Sequence, residues 1–92
     1  MSNQKADRML TNLFARYATA IDVSVADSTP RDNGDKPCFL FIGSGGDVKV
    51  DTDGGDTAVV FSNIPSGVFL PVLVTKVYTA DTTASNIVAC WG

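Results

Sequence analysis

The glycine pair Gly54 and Gly55 sits between GDVKVDTD, in which apolar and polar residues alternate, and the apolar-rich DTAVVFS; it constrains this chain more than any other feature. Glycine accepts positive φ at no steric cost, so a two-residue hairpin turn at this pair is allowed and sets the pairing of its flanks. Val50 then faces Val59, and Val48 faces Phe61. In that register Val48, Val50, Val59 and Phe61 share one face of the hairpin, while Asp47, Lys49 and Asp51 share the other with Ala58 and Ser62. Lys49 partly compensates the two aspartates beside it. The same register sets Asp53 opposite Asp56, a like-charge pair that is mildly unfavourable unless solvated or bridged by a cation.

Similar signals surround the hairpin. TAIDVSVA, Thr19 to Ala26, alternates Ile21, Val23 and Val25 with Asp22 and Ser24, as a half-buried strand does. The eleven residues from Asp27 to Pro37 hold two prolines and a glycine and predict a surface loop facing solvent or partners. CFLFIG, Cys38 to Gly43, is continuously apolar and predicts a strand buried on both faces. NIPSG is a turn. In VFLPVLVTKVYT, Pro71 cannot donate to a ladder, so it marks an edge, a bulge or a strand's first residue. ADTTAS is a capping or turn segment, and NIVACWG closes the chain with Ile87, Ala89 and Trp91 on one side and Val88 and Cys90 on the other.

Valine, threonine and isoleucine supply 24 of 92 residues, and all ten acidic residues are aspartate, so side chains suited to pleated sheet and to turns dominate. The expectation is a mostly β chain: a small antiparallel β-sandwich or barrel of about six strands. A short amphipathic helix precedes it. Residues 3–18 place Met9, Leu10, Leu13, Phe14 and Tyr17 at helical spacing, with Arg8, Asn12 and Arg16 on another face. Residues 1–18 thus form a helical segment and a possible docking arm, and residues 19–92 a single β domain. Arg8, Leu13, Phe14 and Tyr17 are the candidate partner contacts.

With 45% hydrophobic and 18% charged residues, a domain this small has more apolar surface than it can hide, and copies or partners are expected to cover some of it. A net charge of -3 with scattered Lys and Arg lacks the basic stripe that phosphates require, which argues against nucleic acid and anionic membranes. MSNQKADRML has no apolar core of signal-peptide type, and no apolar run approaches the roughly 20 residues of a membrane span, so synthesis in the cytoplasm is expected. Cys38 and Cys90 read as buried free thiols, although a disulfide is sterically conceivable if their strands are neighbours.

No enzymatic chemistry stands out. The chain has no histidine, so the ordinary base for a serine or cysteine nucleophile is missing. IGSGGD is glycine-rich, yet it has no following helix or lysine, and Asp47 would repel phosphate. DTDGGD spaces carboxylates around glycine, making Asp51, Asp53 and Asp56 weak candidates for a cation, without the twelve-residue loop of an EF-hand. No cofactor is expected. Trp91, Tyr78 and Tyr17 offer aromatic surface for a sugar, but large aromatics in strands more often fill a core or an interface. A carbohydrate- or cation-binding β module is the alternative from another class.

Taken together, IGSGGDVKVDTDGGDTAVVFSNIPSG and FLPVLVTKVYTADTTASNIVACW present a glycine-flanked hairpin, an N-hydrophobic-P-small-G turn, an LPV-x-V-x-x-V strand, a Thr-Thr-Ala turn and a closing IVA-x-W. Their order and spacing resemble the head spike base proteins of tailed bacteriophages and gene transfer agents, over a little more than half of the chain. The resemblance implies a small β-sandwich without enzymatic activity that forms a cyclic homo-oligomer on the phage head, binds the major capsid protein, and carries a spike or fibre protein. A capsid-stabilising decoration protein is the variant within the same class. Either role places the protein on the surface of the virion.

Overall fold

The computed structural model describes residues 15–30 and 37–91. Among them six strands follow in order: β1 (Tyr17–Ile21), β2 (Cys38–Ser44), β3 (Gly46–Thr52), β4 (Val59–Ile64), β5 (Val68–Val77) and β6 (Ser85–Trp91). All pair antiparallel in one sheet of order β1-β6-β2-β5-β3-β4. The mostly β expectation and the number of strands are met, and the described residues contain no helix.

β5 shapes the sheet. Its first half pairs with β2, with Val68 opposite Ile42, Phe69 opposite Phe41 and Leu70 opposite Leu40. Its second half pairs with β3, with Lys76 opposite Asp51 and Val77 opposite Val50. The β2 pairing slips between Leu40 and Cys38, so that β5 advances from Leu70 to Val74 while β2 advances two residues. Pro71 lies in this irregular stretch, where its missing N–H removes no regular ladder bond, and this is one of the three settings its position allowed.

Such irregularities let one strand serve two differently directed parts of a sheet. The core shows the result: Leu40 and Ile42 of β2, Val48 and Val50 of β3, and Val74 and Val77 of β5 all have 0% exposure and belong to one cluster with Ile87 and Ala89 of β6. These residues thus make one apolar core shared by four strands of the sheet. Val23 and Ala84, from the connecting segments, complete the cluster.

The register predicted from the glycine pair is the observed one, with Val48 opposite Phe61 and Val50 opposite Val59. The turn itself is built differently. Thr52 N–H donates to the Asp56 carbonyl at 2.8 Å, and Gly55, at φ 103°, donates to the Thr52 carbonyl at 3.1 Å. This makes a three-residue loop, and Ala58 at φ 55° inserts the extra residue that restores the register before Val59. Asp56 therefore lies opposite Thr52, and not opposite Asp53 as the two-residue turn required.

Three further expectations are corrected. The first strand spans Tyr17–Ile21, where residues 19–26 were expected, and Tyr17 and Ala18 belong to it and not to a helix. It ends because Oδ1 of Asp22 accepts the Ser24 N–H at 2.9 Å and turns the chain; Val23 is buried and Val25 is 88% exposed. CFLFIG is fully buried on one face only: Cys38, Leu40 and Ile42 face the core, while Phe39 and Phe41 are half-buried on the opposite face. Part of the expected surface loop is pinned, since Ser28 and Val77 exchange both backbone hydrogen bonds at 2.8 Å and Pro30 is buried. Residues 3–14 of the predicted helix lie outside the described residues, as do residues 31–36, and Ala15 and Arg16 are not helical.

ADTTAS has a specific task. Thr82 and Thr83 accept the N–H groups of Lys49 and Asp47 through their hydroxyls at 3.0 and 2.9 Å, while Thr83 and Ala84 donate to the Asp47 carbonyl at 2.8 and 3.1 Å. The segment thus continues along β3 where β5 has ended, and side-chain hydroxyls replace ladder carbonyls.

Candidate interaction surface

Alternation along β2 sends every second residue away from the core. In this strand those residues are Phe39 and Phe41, and the pairing of Phe41 with Phe69 brings a third ring from β5 to the same face. The Phe41 and Phe69 rings meet at 5.0 Å and 62°, and the Phe39 and Phe69 rings at 5.9 Å and 58°, both in the edge-directed range that aromatic quadrupoles favour. Phe69 nevertheless remains 59% exposed. Val88 and Cys90 of β6 lie opposite Phe41 and Phe39, extending the apolar face, and Leu73 is exposed farther along β5. Contiguous exposed aromatic surface of this kind marks interaction sites in soluble proteins. The period-two FLF pattern of β2 contained this signal, but Phe69 joins it only through strand pairing.

A polar cluster occupies another part of the sheet. The Tyr78 hydroxyl donates to Oδ1 of Asp51 at 2.6 Å, and the same oxygen accepts the Ala58 N–H at 2.9 Å. The Lys76 and Lys49 ammonium groups lie 4.6 and 5.2 Å from the Tyr78 ring centroid. Lys76 pairs with Asp27 at 3.4 Å and Lys49 with Asp81 at 3.2 Å. Lys49 is thus compensated by Asp81 and not chiefly by its sequence neighbours. The Tyr78 hydroxyl and the Ala58 N–H hold the Asp51 carboxyl below its ordinary range, while donating to that carboxylate pushes the Tyr78 phenol up. The Thr79 N–H, with help from Lys76, lowers Asp27 against the opposing effect of desolvation. These charges are matched within the chain, so the cluster reads as a cross-tie between segments.

The candidate cation ligands are not brought together. Asp51 is committed to Tyr78 and Ala58, whereas Asp53 and Asp56 are exposed at the hairpin tip. Among the described residues no group of three or more His, Cys, Asp or Glu side chains is placed to hold a metal ion. The three proposed sugar-stacking aromatics are also divided. Tyr17 stacks on Trp91 at 5.9 Å and 23°, with Tyr17 half exposed, and Tyr78 belongs to the lysine cluster. Of the candidate partner contacts, Tyr17 lies on β1 at the sheet's edge; Arg8, Leu13 and Phe14 are outside the described residues.

Cys38 and Cys90 are free and buried. Cys90 is opposite Phe39 and shares its face, which points Cys38 to the other side of the sheet. Burial pushes the Cys38 thiol up to about 11, which leaves it unreactive at neutral pH. A cleft of about 460 Å³ lies between residues 21–24 and 82–87, and among the described residues Asp22 is the one charged residue in its lining.

No family model, curated protein or solved structure matches this chain.

Proposed function

We propose that this protein is a non-enzymatic structural component of a virion, a cyclic homo-oligomer seated on a phage head as the base for a spike or fibre. The observation that carries this reading is the phenylalanine face, with Phe69 exposed beside the half-buried Phe39 and Phe41, backed by a fully apolar core on the other side of the same strands. Such a face gains from burial against another protein, at about 25 cal/mol per Å² of apolar surface covered, and offers no groups for bond-making chemistry. The resemblance of the strand and turn pattern to head spike base proteins supports the location. The division of β5 between two partners, β2 and β3, supports a sandwich-like architecture with that face outward. In this reading the capsid protein and the spike or fibre protein are the partners.

The test uses purified particles from a host that produces the protein. Immuno-electron microscopy should place the label on the head surface, and quantitative mass spectrometry should find many copies per particle. Absence from purified particles would overturn the proposal. Label on tails would overturn the head assignment.

A further inference from the structure

Among the described residues β1 and β4 are the two ends of the strand order, and they differ in how they meet an incoming strand. β4 is guarded: Ala58 just before it and Asn63 within it hold φ of 55° and 57°, which bends its free edge out of line with a straight strand. Natural sheets blunt their edges with such irregularities, with charges or with proline. β1 has none of these. YATAI contains no charge, proline, glycine or positive φ, and Tyr17 to Ala20 are all exposed.

The geometry points to a second copy of this chain as the occupant of that edge, its β1 pairing antiparallel with the first about a twofold axis through Thr19. In this register Thr19 meets Thr19, Ala18 meets the second copy's Ala20, and Tyr17 meets the second copy's Ile21. One step farther, Arg16 meets the second copy's Asp22, at both ends of the seam. A twofold pairing sets residues of equal parity opposite one another, so backbone groups that point outward on one copy meet outward groups on the other. The charges flanking the strand are thus self-complementary in the register that also centres the strand on itself. Asp22 is exposed and accepts hydrogen bonds from Ser24, and a carboxylate has acceptor sites for a guanidinium besides. Opposite-charge and Thr-Thr cross-strand pairs both stabilise a sheet, and the half-exposed Tyr17 ring is covered by an isoleucine. The result is one sheet continuous across two chains. It does not depend on the virion reading, because it uses the edge and leaves the phenylalanine face free.

Sedimentation equilibrium on the full chain over a wide concentration range should show reversible dimerisation. Arg16→Asp and Asp22→Arg should each weaken the dimer, on the order of tenfold because each change acts at both ends of the seam, and the double exchange should recover most of the loss. Thr19→Cys should form a disulfide-linked dimer under mild oxidation, whereas Ala18→Cys alone should link far less efficiently because its partner is Ala20. Far-ultraviolet circular dichroism confirms that each variant is folded. A monomer at all concentrations overturns the proposal, as does a dimer whose affinity ignores both charge reversals and whose Thr19→Cys variant does not cross-link.

Discussion

The Tyr78 hydroxyl and the Asp51 carboxylate, 27 residues apart in sequence, are joined by a 2.6 Å hydrogen bond on the same oxygen that accepts the Ala58 N–H. One carboxylate thereby ties β3, the end of β5 and the bulge before β4. Tyr78→Phe should lower the melting temperature by several degrees, and Asp51→Asn by more, because the asparagine must satisfy both donors with a neutral oxygen. In a double-mutant cycle the two losses should be less than additive. Additive losses would show that the bond contributes nothing measurable.

The core prediction rests on Leu40, on β2 between β5 and β6, with no exposed surface. Leu40→Ala should destabilise by about 2–5 kcal/mol, a transfer loss plus the cavity left behind. A domain of this size has a total stability of only about 5–15 kcal/mol. Urea unfolding should therefore show a large fall in midpoint with an unchanged slope.

Gly45 makes a narrow passage between β2 and β3. A Cβ there would collide with the Ile64 carbonyl oxygen and the Ser66 nitrogen, both backbone, while the Gly45 N–H donates to the Ser66 hydroxyl at 2.7 Å. Gly45→Ala should cost about 1–3 kcal/mol, as overpacking against atoms that cannot rotate away does. By contrast, nothing lies within 4 Å of a Cβ at Gly55; alanine there should suffer only from its φ of 103°.

The Cys38 thiol predicts an alkaline limit to stability. Its folded value of about 11 is above the ordinary 9.0, so the folded state holds the proton more tightly. The associated stability is complete below pH 9 and is lost as pH rises through 11, on the order of 3 kcal/mol in all at 1.36 kcal/mol per pH unit. Tyr78, also raised, adds loss in the same direction above its ordinary 10.0. Urea midpoints measured from pH 8 to 11 should fall, and Cys38→Ala should flatten the part of the decline that begins near pH 9.

A substitution at Phe69 should separate folding from any assembly through the phenylalanine face. Because 59% of its surface is exposed, Phe69→Asp should leave the melting temperature within a few degrees of the parent. If the phenylalanine face packs against copies, light scattering should show the variant losing assembled mass beyond the dimer. An unchanged distribution of masses would remove the face from the assembly.

The sequence by itself determined the β class, the number of strands and the pairing of β3 with β4, because alternation and a glycine turn are local and act on residues already adjacent along the chain. It also marked Pro71 as an irregular position. Only the tertiary structure decided which distant strands are neighbours. Periodicity reports which face a residue takes, but not what lies beside it, so Phe39 and Phe41 could not be joined to Phe69, nor Asp51 to Tyr78, before β5 was placed between β2 and β3. The same limit explains β1. Ile21, Val23 and Val25 alternate perfectly, yet a strand persists only where a partner continues the ladder; the partnership with β6 ends at Ile21, and there Asp22 turns the chain. At the hairpin tip the register held while the turn changed, because Ala58 absorbed one residue in a left-handed conformation that alternation alone does not reveal.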